Sequence, residues 1–181
     1  VDTWLVGADH NDSRCRADGD VTYDFWGIGS TRVFHAKGSY TTQSVHPLAS
    51  LDTIDALRSY DWPTPDELTF ESVHEARRQH PDKAIIAHIT HAAFFKATQL
   101  RGMEQFLTDM ALKPELAEYI MSRVNEYLFP AIERLCSEAG DSFDIFYIAD
   151  DTCTSLGPMI SQAMFERWIL PYVRVYADIC H

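Results

Sequence analysis

From Ala84 to Ile89 the residues are almost continuously apolar, the pattern of a strand buried on both faces in a parallel sheet. Phe143–Ala149 repeats that pattern. Between them, Thr90–Gln99 reads as a loop or short helix. Arg101–Leu112 places Met103, Phe106, Leu107 and Met110 on one helical side. Pro114 suits the first turn of the next helix, with Glu115 and Glu118 near its positive end, and Gly140 caps it after Ala139. Ser161 caps a last helix whose apolar face includes Phe165, Ile169, Val173 and Val175.

The opening third is patterned differently. Trp4–Gly7 is a short apolar strand end, and Asp9–Asp20 is a polar loop. Val21–Trp26 alternates as a strand does, Gly27–Gly38 continues it, and Ser39–Val45 is again strand-like. This region reads as a β-ribbon with loops. Ser50–Ser59 reads as a short helix capped by Ser50, with Asp52 and Asp55 near its start. Trp62-Pro63-Thr64-Pro65 breaks it. Asp66–Gln79 is a second helical stretch with Leu68, Val73 and Ala76 inward, and Pro81-Asp82 turns the chain.

Strands separated by long helical crossovers imply a parallel sheet of the α/β class. No glycine-rich phosphate loop follows either strand, so a nucleotide-binding sheet has little support. A (β/α)8 TIM barrel fits better. A full barrel takes about 250 residues, so the 181-residue chain is expected to form a partial one. Residues 1–181 are read as a single barrel domain, incomplete at both ends, because neither end carries a start or stop signal.

Composition narrows the class. Hydrophobic residues make up 46% of the chain, and no apolar run is long enough to span a membrane. Fifteen basic against 27 acidic residues give a net charge of −12, which disfavours nucleic acid or an anionic membrane as partner. Cys15, Cys136, Cys153 and Cys180 form no CxxC pair, so reduced thiols and a cytoplasmic location are expected.

Asp150 and Asp151 directly follow the second buried strand, where barrel enzymes place catalytic groups. Apolar surroundings raise a carboxyl's pKa and suit it to proton transfer. Strand alternation lets only one of them face the barrel axis. Either can instead cap the following loop. His88 and His91 end the first buried strand, but their spacing puts them on opposite faces, so a metal pair is disfavoured and His88 is kept as a substrate contact. Asp24 and Trp26 share a face, an acid beside a large ring, which suits a ligand platform or a buried tryptophan. His46-Pro47 is a rigid turn bearing an imidazole. Cys180-His181 are adjacent on a helix and diverge too far to chelate together. No metal ligand is assigned in the chain.

Leu57-Arg58-Ser59-Tyr60-Asp61-Trp62-Pro63 resembles an "L..Y.WP.P" element of the uroporphyrinogen decarboxylase superfamily. Leu100-Arg101-Gly102-Met103-Glu104-Gln105-Phe106-Leu107, then Asp109 and Lys113-Pro114-Glu115, is similar to its "LRG.E.FL.D....PE" helix. Asp144 with Asp150-Asp151 resembles its "D......DD" strand, and Gly157, Ile160-Ser161, Phe165 and Pro171-Tyr172 match the helix entry that follows.

The resemblance implies a (β/α)8 barrel with its cleft at the strand C-terminal ends, and Tyr172 is carried from it as a substrate contact. It implies one of two activities. One is decarboxylation of a tetrapyrrole without cofactor. The other is cobalamin-dependent methyl transfer to a zinc-activated thiol or a corrinoid. The length of Asp151–Ser161 resembles the methyltransferase-like "DD.GTQ.G..IS" pattern, with Cys153 in place of glycine and Ser155 in place of glutamine. The expectation is therefore a methyltransferase-like enzyme. Decarboxylation of uroporphyrinogen is the first alternative, and a corrinoid- or tetrapyrrole-binding protein without turnover is the second. Zinc and a corrinoid are implied by the resemblance alone, with the zinc ligands expected beyond His181. A small molecule or a tetrapyrrole is the implied substrate, and a corrinoid protein the implied partner.

Overall fold

Ala84-Ile85-Ile86-Ala87-His88 forms the middle strand of a parallel sheet. The computed structural model describes residues 2–10 and 12–181. In chain order its strands and helices begin with β1 (Thr3–Gly7), β2 (Arg16–Asp18), β3 (Val21–Tyr23), β4 (Gly29–His35) and β5 (Gly38–Val45). There follow α1 (Ile54–Arg58), α2 (Glu71–Gln79), β6 (Ala84–His88), α3 (Ala93–Arg101), α4 (Met103–Leu112) and α5 (Pro114–Ala139). The last are β7 (Ile145–Phe146), β8 (Cys153–Thr154), β9 (Gly157–Pro158), α6 (Gln162–Trp168) and α7 (Leu170–Cys180). The chain divides into two compact units, Val1–His10 with Thr64–Phe95 and Val124–His181, and Asn11–Pro63 with Lys96–Arg123.

In the first unit the strand order is β1-β6-β7, all parallel, with Thr3 opposite Ala84 and Ile86 opposite Ile145. Ile85 and Ala87 are fully buried, whereas Ala84, Ile86 and His88 on the other face are half-buried. Helix α2 packs on β1 and β6 and buries Val73 and Ala76. From Val124 onward, α5 buries Val124, Leu128, Ala131, Ile132 and Leu135, a stripe at helical spacing. Asp144 stitches β7 to β6. Its N–H donates to the Ile85 carbonyl at 2.9 Å, and its carboxylate accepts the Ile85 N–H at 2.7 Å and pairs with Arg77. The Ile85 amide, then Arg77, hold that carboxyl below the usual range.

The architecture is thus mixed α/β with a parallel sheet. The sheet is open, and a closed barrel is not formed among the described residues. The expected strand Phe143–Ala149 pairs over only Ile145–Phe146, and Ile145 and Tyr147 are about half exposed, at 48% and 50%. β7 is the outer strand of this sheet, so one flank has no neighbour to bury it.

The second unit carries an antiparallel sheet of order β2-β3-β4-β5. The expected strand Val21–Trp26 ends at Tyr23, because the Asp24 carboxylate accepts the Trp26 N–H at 3.0 Å and the Ile28 N–H at 2.9 Å and turns the chain. Gly27 completes the turn at φ 75°, and the Tyr60 hydroxyl donates to the Trp26 carbonyl at 2.5 Å. A Cβ on Gly27 would lie 2.7 Å from the Tyr60 oxygen, so this position requires glycine.

Several helices differ from the sequence reading. The first is Ile54–Arg58, capped by Thr53 rather than Ser50, with the Thr53 oxygen accepting the Ala56 N–H at 3.2 Å. Asp66–Gln79 is α-helical only from Glu71, after a short 3-10 turn at Pro65–Glu67. Of the two readings of Thr90–Gln99, the helix is the one formed, as α3 from Ala93, and it runs on to Arg101. Ser161 caps as expected, accepting the Met164 N–H at 3.2 Å, but two helices follow it, and Val173 and Val175 are exposed. Their inward residues are Trp168, Ile169 and Tyr176.

Arg101 organises the second unit. Its side chain is fully buried, with Nε donating to Asp109 at 2.7 Å and one terminal nitrogen to Asp52 at 2.7 Å. The other terminal nitrogen donates to the carbonyls of Leu48 at 2.6 Å and of Ala49 and Leu51 at 3.2 Å. A guanidinium can satisfy this many fixed acceptors at once; an ammonium cannot. The "LRG" element is therefore structural here. Arg101→Ala leaves Asp109 buried without its partner and is expected to cost about 3–5 kcal/mol, read as a lower urea midpoint. An unchanged midpoint would refute this assignment.

Candidate functional site

The C-terminal ends of the parallel strands gather the polar groups of the first unit. β1 leads into His10, β6 ends at His88, and β7 leads through Tyr147 to Asp150 and Asp151. His88 lies over Gly7, where a Cβ would sit 3.3 Å from the imidazole. Burial lowers the His88 pKa, so the ring is neutral at pH 7. His10 reaches the Ile89 carbonyl at 3.3 Å through one nitrogen and the Tyr127 hydroxyl at 3.3 Å through the other. His91 is exposed, with its ring edge-on to Phe95 at 4.8 Å.

Asp150 is the most constrained of these groups. Helix α3 starts beside it with amides that have no intrahelical acceptor. The Phe95 N–H donates to Asp150 at 2.7 Å, and the Phe94 N–H donates to the same carboxylate. The Ala92 N–H goes to the Ala149 carbonyl at 2.8 Å, and the Ala93 N–H to the Tyr176 oxygen. Tyr176 in turn donates to the Asn125 side chain. Burial pushes Asp150 up to about 6 against the pull of the two amides, with a smaller push from Asp151. Asp151 is exposed. Asp150 thus turns inward and Asp151 outward, on a segment that lies beyond β7 and is not part of the strand.

After Asp151 the chain makes a hairpin, β8 paired with β9, whose tip residue Leu156 is 98% exposed. A cavity of about 270 Å³ lies beneath it, lined by Thr152, Cys153, Pro158, Ile160, Gln162 and Phe165. Tyr172 is half-buried, its ring 6.4 Å from that of Phe129.

The remaining sequence candidates belong to the second unit. Trp26 is fully buried and presents no face to solvent. Asp24 braces the Trp26 turn. His46 donates from Nδ1 to the Gln99 carbonyl at 2.6 Å and lies beside Gly102. Lys96 joins them. It is 4% exposed and sits over the Trp26 ring at 5.6 Å. Burial lowers its pKa to about 8, opposed by the charge of Asp24. The candidates therefore fall into two groups: His88, Asp150, Asp151 and Tyr172 in one unit, and Asp24, Trp26 and His46 in the other. Sequence reasoning missed His10, Tyr176 and Lys96. Tyr176 lies one heptad after Ile169, a signal that was available.

Among the described residues no group of three or more His, Cys, Asp or Glu is placed to hold a metal ion, and no helix is long and apolar enough to cross a membrane. A parallel sheet carrying acids and imidazoles at its strand C-terminal ends is the arrangement of α/β barrel-type enzymes. The family model described as uroporphyrinogen decarboxylase (URO-D) matches residues 19–181, and the chain belongs to that family. A solved methyltransferase from Methanosarcina mazei is similar in fold, with a TM-score of 0.57 and 17% identity over 85% of this chain. The chain spans 44% of that protein's length. No curated protein matches.

Asp150 makes stability depend on pH. Its folded carboxyl titrates near 6 against an ordinary value of 3.8, so between these values the folded state holds the proton and the unfolded state does not. The stabilisation is complete below the unfolded value and is lost as pH rises through about 6, a change of about 3 kcal/mol. Asp150→Asn is expected to flatten this decline, measured by urea unfolding at both ends of the window. An unchanged slope in the variant would contradict the assignment.

Proposed function

We propose that the chain is the acid-bearing part of a methyltransferase-like enzyme of the URO-D family, acting on a small methyl donor or a corrinoid carried by a partner protein. The observation that carries this reading is Asp150, seated on the α3 amides at the end of a parallel strand and titrating near 6. The length of the Asp151–Ser161 loop and the fold shared with a methyltransferase support it.

The described residues bring no set of zinc ligands together. What they can do is move a proton. Methyl transfer to a thiol releases the thiol proton, and transfer from a methylated heteroatom calls for a proton on the leaving group. A carboxyl near 6 can accept or return that proton at neutral pH. The α3 amides fix its orientation, and the neutral His88 can hydrogen-bond to the donor.

The same acid suits a second reading. Loss of carbon dioxide from a tetrapyrrole acetate leaves a carbanion that must be protonated, and Asp150 can supply the proton. One experiment separates the two. The full-length protein is given methylcobalamin with a thiol acceptor and, separately, uroporphyrinogen. Methylated thiol is expected, with turnover lowered at least about 10²-fold by Asp150→Asn. Coproporphyrinogen without methyl transfer would replace the first reading by the second. Turnover untouched in the variant would remove Asp150 from either mechanism.

A further inference from the structure

The antiparallel sheet of the second unit has two outer strands, and they are built in opposite ways. β2 is three residues long and carries Arg16 and Asp18. Short length and charge are the usual protection of a sheet edge against pairing with another chain. β5 at the other edge is eight residues long, Gly38-Ser39-Tyr40-Thr41-Thr42-Gln43-Ser44-Val45, with no charge and no proline. Gly38 through Ser44 are exposed, and β4 is the only strand paired with β5 among the described residues. The irregularity that would bend this edge lies at its far end, where the register shifts between Gly29 and Ser30. Every second residue along β5 therefore points its N–H and C=O outward.

We infer that β5 pairs antiparallel with β5 of a second copy of this chain, joining two four-stranded sheets into one across a two-fold axis. Charge selects this occupant. The chain carries −12, so two copies repel over most of their surfaces. Along β5 the repulsion is absent. In any antiparallel register of the strand with itself, no cross-strand pair within Gly38–Val45 contains a charge. Centring the axis on Thr41 sets Thr41 opposite Thr41 of the second copy, Tyr40 opposite Thr42 and Ser39 opposite Gln43. Threonine–threonine and aromatic–β-branched neighbours of this kind favour pairing. The flanking ribbon, 29–45, contributes Arg32 and Lys37 and no acid, so carboxylates of the two copies stay off the seam. Like strands related by a two-fold are antiparallel by symmetry, the pairing this sheet already uses.

The test is the mass of the 181-residue chain by light scattering across a hundredfold range of concentration. The mass is expected to rise from one chain to two. The double substitution T41K/Q43K places lysines across the axis, where like charges oppose, and is expected to shift the midpoint to at least about tenfold higher concentration. Leu5→Lys on the edge strand β1 of the other sheet serves as the control and is expected to leave the midpoint in place. Hydrogen exchange of the unmodified chain gives a reading that needs no variant: β5 amides become protected as concentration rises. A single-chain mass throughout, β5 amides that exchange equally at all concentrations, or a dimer shifted by Leu5→Lys rather than T41K/Q43K would overturn the inference.

Discussion

The first amides of α3 have no carbonyl of their own helix to bond, and much of the first unit is arranged to receive them. The Ala149 carbonyl, the Tyr176 oxygen and the Asp150 carboxylate each accept from this helix start. That requirement ties the end of β7 to α3 and draws α7 in through Tyr176. It also decides which of two adjacent aspartates turns inward. Asp150 takes the helix amides and gives up most of its hydration, while Asp151 keeps its water. Amides facing a carboxylate favour its charge and burial opposes it. At Asp150 burial prevails, and the acid rests near the pH at which it can both hold and release a proton.

Arg101 plays the corresponding part in the second unit, with a different consequence. A guanidinium with five donors collects three carbonyls and two carboxylates from segments far apart in sequence. It supplies order and no chemistry. Lys96, one turn and a residue earlier on the same helix, lies over the Trp26 face and feels the charge of Asp24. Burying the two cations therefore has different outcomes: one is held charged, and the other is moved toward neutrality.

What the sequence reveals depends on whether a segment has one buried face. Ala84–His88, Met103–Leu112 and Pro114–Ala139 are legible because their apolar positions repeat at the period of the element they form. Helix α3 is legible only as a loop or short helix, since Phe94, Lys96, Ala97, Thr98, Gln99, Leu100 and Arg101 are all buried and a helix enclosed on every side shows no stripe. The ribbon β2–β5 is legible as a β-ribbon, but where β3 ends follows from turn chemistry at Asp24 and Gly27. The candidate acids are legible by position, as two acids after the expected strand Phe143–Ala149. The choice between them needed the location of α3, and Lys96 stayed hidden because an isolated lysine in a sequence reads as surface.

Burial holds the Asp150 carboxyl, beyond the C-terminal end of β7, near 6 against the pull of the helix amides. Carbon-13 NMR of the Asp150 side-chain carboxyl, assigned by loss of its signal in Asp150→Asn, measures this directly. The titration midpoint is expected close to 6. A midpoint at or below the ordinary aspartate value of about 4 would contradict it, because the helix amides would then outweigh burial and Asp150 would be a fixed anion rather than a proton carrier.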